Sequence, residues 1–203
     1  MRMTRTWFLS LLLLLPLGAS AAPGYAENPL AGLDEPAQVL QRGVETLTGY
    51  MSKNPGANPA QLEAYINQEI APYFDFERMA YWTAGSLAHQ LNPWQQGKLQ
   101  GMLQTRFITA MAEQLAGYRF ARVQNMRPRG NPYQGNVTLG VRVFSQSAPP
   151  VQIDFKLYRN PQRGWLVYDV VANGVSAVAY YRQEFAGIVR QYGVDGLMAR
   201  MDY

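Results

Sequence analysis

The sequence contains no cysteine and only one histidine, and these two absences exclude several kinds of site. Without cysteine, no disulfide bond can stabilise the chain. The single histidine, His89, lies in the polar segment SLAHQLNP, and no second histidine is available for a metal site or a histidine-based catalytic triad. We therefore expect His89 to be exposed, and we expect no metal site, no catalytic residue set and no cofactor.

Long apolar runs are lacking everywhere except at the N-terminus. There, two arginines precede an apolar run over residues 7–17, and residues 19–21 are Ala-Ser-Ala, which have the small side chains that a signal peptidase recognises. Pro16 and Gly18 disfavour an uncleaved anchor helix. Residues 1–21 are therefore predicted to be a cleaved signal peptide, and residues 22–203 a single exported domain.

Clustered basic residues are lacking as well. The chain has 18 basic and 14 acidic residues, and cleavage after residue 21 removes two of the basic ones, which leaves a net charge of +2. Nucleic acids are bound by strongly basic surfaces. A weak charge without Lys/Arg runs therefore excludes nucleic acid as an expected partner.

What the sequence does have is regular hydrophobic periodicity. Apolar residues repeat at helical spacing around residues 36–53, 59–71, 76–84, 93–117 and 175–193. Alternating apolar residues and short turns predict strands at residues 120–126, 137–144, 151–158 and 165–171. The predicted fold class is α+β, with a curved four-stranded antiparallel sheet whose concave apolar face packs against several helices.

The helix predicted over residues 93–117 has an unusually wide apolar stripe, which includes Leu99, Met102, Leu103, Phe107 and Met111. Such a stripe usually belongs to a packed core. Flexible methionines and small residues beside bulky ones can instead leave an irregular apolar gap, suited to a hydrophobic ligand. Periodicity alone leaves both interpretations open.

Asp169 is the one acidic residue predicted on an apolar strand face, shared with Trp165, Val167 and Val171. A general base in an enzyme pocket is one interpretation. The favoured one is a structural carboxylate, held in an ion pair or by hydrogen bonds, for which Arg78, Arg142 and Arg182 are available partners. Ser176, which follows Gly174 and Val175, is predicted to cap the last helix.

Five segments of the sequence resemble the MlaC family of periplasmic phospholipid-binding proteins, also called the toluene-tolerance family. They are GWLVYDVVANGVS at residues 164–176, YYRQEF at 180–185, GVDGLMARM at 193–201, FDFERMAYW at 74–82 and IDFKLYRN at 153–160. With the intervening elements, the resemblance covers roughly residues 34–201.

The resemblance implies a fold that encloses an apolar cavity between helices and sheet, with phospholipid held as cargo. It implies a periplasmic, non-enzymatic and monomeric carrier that moves phospholipid between outer- and inner-membrane complexes and maintains outer-membrane lipid asymmetry. The implied protein partners are an inner-membrane MCE-protein/ABC transporter complex and an outer-membrane lipoprotein-porin complex. Two alternatives remain, namely a small-molecule enzyme on a cone-shaped α+β fold and a chaperone for the lipid anchors of lipoproteins.

Inward-pointing apolar positions on the long helix and the strands are the expected lipid contacts. These positions are Leu99, Met102, Leu103, Phe107, Met111, Val141, Val143, Ile153, Phe155, Leu157, Val167 and Val171.

Overall fold

A computed structural model describes residues 34–116, 120–145 and 149–200 of the chain. The predicted signal peptide, residues 1–21, lies outside the described residues. The described part of the chain contains the α-helices α1 (Asp34–Lys53), α2 (Pro59–Tyr65), α3 (Phe76–Ala84), α4 (Pro93–Ala116) and α5 (Ala177–Ala199). A π-helical turn (Ile66–Ile70) and a 3₁₀ turn (Ala71–Tyr73) continue α2 toward α3. In the described part of the chain, no helix has the length and apolar character needed to cross a membrane.

The strands form one antiparallel sheet. They are β1 (Phe120–Asn125), β2 (Arg129–Asn131), β3 (Asn136–Ser145), β4 (Val151–Asn160), β5 (Gly164–Ala172) and β6 (Val175–Ser176). Their order across the sheet is β1-β3-β4-β5-β6, and β2 also pairs with β3. The α+β prediction and the four predicted strands are confirmed, but β2 and β6 were not predicted.

The hairpin between β5 and β6 explains why β6 was missed. Asn173 and Gly174 have φ values of 49° and 84°, as in the two-residue turns that join antiparallel strands. The turn therefore leads into a short strand, and α5 begins at Ala177, two residues later than predicted. Ser176 caps α5, as predicted, by accepting a hydrogen bond from the Ala179 amide at 3.1 Å. The helix continues past the predicted end at residue 193, where Gly193 has φ 70° and kinks it.

A bulge in β5 changes which of its side chains point toward the helices. Leu157 of β4 pairs with Val167 and Lys156 pairs with Asp169, so Tyr168 is an extra residue between two successive pairs. An extra residue reverses the alternation of side chains beyond it. Val170 therefore takes the face of Val167, and Val171 and Asp169 take the other. The predicted common face of Asp169, Val167 and Val171 is wrong for this reason.

The bulge is also where the start of α3 attaches to the sheet. The Asp75 amide, at the start of α3, donates to the Val167 carbonyl at 2.8 Å. The Asp75 carboxylate caps α3 by accepting from the Arg78 amide at 2.9 Å, and it also accepts a hydrogen bond from the Tyr158 hydroxyl of β4. Asp75 is buried, so these bonds fix the entry to α3 against both strands.

Candidate functional site

A cavity of about 890 Å³ lies between the helices and one end of the sheet. Binding sites for small molecules typically have volumes of about 300–1,000 Å³, so this cavity lies in the upper part of that range. Aliphatic and aromatic side chains form most of its wall. Such a wall offers apolar contact and few hydrogen-bonding groups, which suits a hydrocarbon ligand.

The sheet contributes one wall of the cavity through its inward-facing apolar positions. These are Val123 of β1, Val141 and Val143 of β3, Ile153 and Phe155 of β4, and Val167, Val170 and Ala172 of β5. The register places Val141 opposite Ile153 and Phe155 opposite Val170, so the wall is continuous from strand to strand. At the other end of the sheet, Val137, Leu139 and Leu157 are buried and fill the core instead.

The helices contribute the opposite walls. The stripe of α1 that faces the cavity contains Val39, Leu40, Val44 and Leu47, and α4 supplies Phe107, Ala110, Met111, Gln114 and Leu115. The beginning of α5 supplies Ala177, Tyr180, Tyr181 and Glu184. Ala110, Gln114, Val175 and Tyr180 are exposed although they line the cavity, so the cavity opens to solvent between α4 and the β6–α5 corner.

Seven of the twelve residues proposed from the sequence lie together in the wall of this cavity. They are Phe107, Met111, Val141, Val143, Ile153, Phe155 and Val167. The other five, Leu99, Met102, Leu103, Leu157 and Val171, do not line it. Whether the seven contact a lipid stays a prediction.

Each of the five has a structural reason for its position. Leu99, Met102 and Leu103 belong to the first half of α4, which packs against α2 and α3, and all three are buried there. Leu157 has no exposed surface and lies in the filled end of the sheet. Val171 follows the bulge and is replaced in the wall by Val170.

Sequence reasoning did not assign the α1 and α5 walls to the site. The sequence did contain a pattern for the α1 wall, because Val39, Val44 and Leu47 repeat at helical spacing on one side of that helix. Periodicity shows that a face is apolar but not what covers it. The α5 wall was less visible, since Tyr180, Tyr181 and Glu184 include polar groups.

Among the described residues that line the cavity, Arg106 of α4 and Glu184 of α5 are the only two with formal charges. They form an ion pair with each other, and their side chains are 35% and 30% exposed. Beside them, burial raises the pKa of Tyr181 to about 12, and the Glu184 carboxylate contributes to the rise. The Tyr181 phenol is neutral at physiological pH, as an ordinary tyrosine is, and because the charges of Arg106 and Glu184 are opposite, the described wall of the cavity has no net charge.

Asp169 is a hydrogen-bonded carboxylate in the folded protein, and its ion-pair partner is Lys156 and not an arginine. Its carboxylate accepts hydrogen bonds from Lys156 Nζ at 2.9 Å, from Ser176 Oγ at 2.8 Å and from the Val178 amide at 3.2 Å. It is buried and does not line the cavity. Through these hydrogen bonds, the Asp169 carboxylate joins β4, β5 and the start of α5.

The three arginines that were available partners of Asp169 are placed elsewhere. Arg78 lies 3.9 Å from the centre of the Tyr158 ring and 5.0 Å from that of Trp82. Arg182 Nε donates to the Trp82 carbonyl at 2.8 Å, and Arg142 is exposed. The ion-pair partner of Asp169 is therefore Lys156 and not one of these arginines, because Arg78 packs on Tyr158 and Trp82, Arg182 bonds to the backbone of α3, and Arg142 is exposed.

A second cavity, of about 640 Å³, lies beside α3 and the beginning of α4. Asp75, Arg78, Trp82, Leu99 and Tyr158 are among its lining residues, and it shares none of them with the apolar cavity. Polar and charged groups form a larger part of its wall. Its chemistry therefore differs from that of the apolar cavity and is less suited to a hydrocarbon chain.

Two further expectations concern polar sites. His89 is exposed, as predicted, and its Nε2 lies 3.2 Å from the Tyr81 hydroxyl. Within residues 34–116, 120–145 and 149–200, no group of three or more His, Cys, Asp or Glu side chains is arranged to hold a metal ion.

Comparisons with known proteins agree with this geometry. The chain is 22% identical over 172 residues to the intermembrane phospholipid transport system binding protein MlaC of Haemophilus influenzae. The aligned region covers 82% of this chain and 80% of that protein. The fold of this chain is similar to the three-dimensional structure of a phospholipid-binding protein from Ralstonia solanacearum in complex with a phospholipid. The TM-score is 0.75 and the identity 25%, and the match covers 83% of this chain and 95% of the other. The family model described as "MlaC protein" matches residues 41–202, so this chain belongs to the MlaC family.

Proposed function

We propose that this chain is a soluble periplasmic carrier that holds the acyl chains of a phospholipid in the apolar cavity. The observation that carries the proposal is the cavity of about 890 Å³ between sheet and helices, whose wall is apolar except for a few polar groups and the ion pair between Arg106 and Glu184. The phospholipid is cargo and not a cofactor. The similarity to a transport-system binding protein and to a protein solved with phospholipid supports the same function.

The physics of transfer explains why such a carrier needs no reactive side chain. Burial of one methylene contributes about 0.8 kcal/mol, so exposing about 30 methylenes of two acyl chains to water costs on the order of 24 kcal/mol. Free diffusion of phospholipid through water is therefore negligible. A cavity that resembles the bilayer interior as a solvent makes transfer between membrane and carrier nearly neutral in free energy.

The wider role follows from family membership. We propose that the carrier moves phospholipid between an outer-membrane lipoprotein-porin complex and an inner-membrane MCE-protein/ABC transporter complex, and so maintains outer-membrane lipid asymmetry. We expect it to act as a monomer that one complex releases before the other binds it. An enzymatic role is disfavoured because Asp169, the candidate general base, is bonded to Lys156 and Ser176 away from the apolar cavity.

The test is the lipid content of the purified mature protein, residues 22–203. We expect organic extracts to contain about one phospholipid per protein, identified by mass spectrometry, and delipidated protein to reload from vesicles. Lipoprotein acyl chains in place of phospholipid would instead support the anchor-chaperone function. If native protein contains no bound lipid and vesicles load none, the carrier function is excluded.

A further inference from the structure

The ion pair between Arg106 and Glu184 lies on the two helices that border the opening of the apolar cavity. On α4, Arg106 is one turn from Ala110 and two turns from Gln114, and both of these residues are exposed. On α5, Glu184 is one turn from Tyr180, which is 57% exposed. Residues spaced by four lie on one helix face, so each charge continues the row of side chains that forms the rim.

The two charges are accessible to a ligand, and among the described residues neither is paired with a third ionic group. Each side chain is about one third exposed, and each is the ion-pair partner of the other. The Phe185 ring also lies beside Arg106, with its centre 6.0 Å from the guanidinium carbon. Among the described lining residues no other formal charge is present to contact a headgroup at the rim.

We propose that Arg106 and Glu184 form a headgroup subsite that favours zwitterionic phospholipids over anionic ones. A zwitterionic headgroup carries a phosphate and an ammonium group, the same two charges that the pair presents. Arg106 can bind the phosphate oxygens through its planar guanidinium, and Glu184 can bind the ammonium group. The proposal rests on the proposed carrier function.

The preference arises from an exchange of partners. When a zwitterionic headgroup binds, one ion pair within the protein is replaced by two between protein and lipid, and no charge is left unpaired. When a headgroup with a phosphate and neutral hydroxyl groups binds, Arg106 leaves Glu184 for the phosphate. The Glu184 carboxylate then lies unpaired near a second negative charge, which is unfavourable.

The size of the preference is limited because the pair is partly exposed. Ion pairs at exposed sites have small net energies, which correspond to an enrichment of about two- to fivefold. Arg106 and Glu184 therefore bias the choice among phospholipids that the apolar cavity holds equally well.

The experiment is a competition within one vesicle, so that both lipids experience the same surface potential. Delipidated mature protein is incubated with vesicles containing equal amounts of phosphatidylethanolamine and phosphatidylglycerol with identical acyl chains. The lipid ratio in the repurified protein is then measured by mass spectrometry, and total bound phosphorus is measured beside it. We expect wild-type protein to be enriched about two- to fivefold in phosphatidylethanolamine.

Three variants identify the source of the enrichment. Glu184→Gln leaves Arg106 unpaired and should shift the ratio toward phosphatidylglycerol. Glu113→Gln removes an exposed acid on α4 that does not line the cavity, so it has the same net charge as Glu184→Gln and should keep the wild-type ratio. The exchanged pair Arg106→Glu with Glu184→Arg retains both charges and should keep the enrichment in phosphatidylethanolamine.

The outcomes separate this proposal from the carrier function. Equal amounts of the two lipids bound to wild-type protein, with normal total phosphorus, would overturn the headgroup subsite and leave the carrier function intact. The same ratio in wild type and Glu184→Gln would also overturn it. The absence of phosphorus from every protein would instead overturn the carrier function.

Discussion

The Nζ atom of Lys156 lies 2.9 Å from Oδ2 of Asp169, at the point where β5 resumes regular pairing after its bulge. The Asp169 carboxylate also accepts hydrogen bonds from the Ser176 hydroxyl and the Val178 amide. Asp169 therefore connects the β4–β5 pair to the first turn of α5. Because α5 forms part of the cavity wall, this bond network positions the wall without contacting the cavity.

Asp169→Asn should lower stability and leave lipid binding unchanged. The amide group keeps one acceptor oxygen but places an NH₂ group where the carboxylate accepted from Lys156 and Ser176. We expect the free energy of unfolding to fall by about 1–3 kcal/mol, the usual cost of disturbing buried hydrogen bonds to a charged group. Urea unfolding measures the loss, and bound phosphorus per folded protein should match wild type.

The matched control is Asp154→Asn, on β4. Asp154 is 15% exposed and accepts from Gln152 Nε2 at 3.3 Å, but its ion-pair partner Arg129, at 2.6 Å, has a side chain that is 52% exposed. Such a pair contributes about 1 kcal/mol or less. A loss for Asp154→Asn as large as that for Asp169→Asn, or a loss of lipid binding with unchanged stability in Asp169→Asn, would contradict the structural role.

The fold class and most helix and strand positions could be predicted because hydrophobic periodicity reflects burial directly. α3 was predicted with the bounds that it has, and β5 to within one residue at each end. The face of Val171 could not be predicted, since one bulged residue at Tyr168 reverses the alternation and no local pattern marks it. Similarly, Met102 and Met111 belong to one apolar stripe, but only tertiary packing decides that Met102 contacts helices and Met111 a cavity.

The bulge itself can be tested with single cysteines, because the chain has no cysteine of its own. Val170→Cys places a thiol in the cavity wall, and Val171→Cys places one on the other face of β5. We expect bound lipid to slow maleimide labelling of residue 170 and to leave labelling of residue 171 unchanged. Lipid protection of residue 171 and not of residue 170 would show that the alternation is not reversed.

Tyr181 predicts a pH dependence of stability in the alkaline range. Burial raises its pKa from 10.0 to about 12, so above pH 10 the unfolded chain releases a proton that the folded protein retains. Its contribution is complete below pH 10 and is lost as the pH rises toward 12. Tyr181→Phe cannot ionise and should lack this loss.

The measurement for Tyr181 is the urea midpoint of wild type and Tyr181→Phe at about pH 8, 10 and 11. The difference between the two proteins should be constant up to about pH 10 and should then shift in favour of the variant. Parallel curves over the whole range would mean that the phenol is not desolvated in the folded protein.

Met111→Trp tests whether the α4 wall contacts lipid, with Met102→Trp as its matched control. Met111 lines the cavity and is partly exposed, so a tryptophan there can occupy space that acyl chains would fill, and we expect bound phosphorus to fall while the melting temperature stays close to that of wild type. Met102 is 7% exposed and packs among helices, where a larger side chain overpacks the core and costs about 1–3 kcal/mol. Met102→Trp should therefore lower the melting temperature and keep the lipid content per folded molecule. Strong destabilisation of Met111→Trp with unchanged lipid content would show that Met111 is ordinary core and that the lipid lies elsewhere.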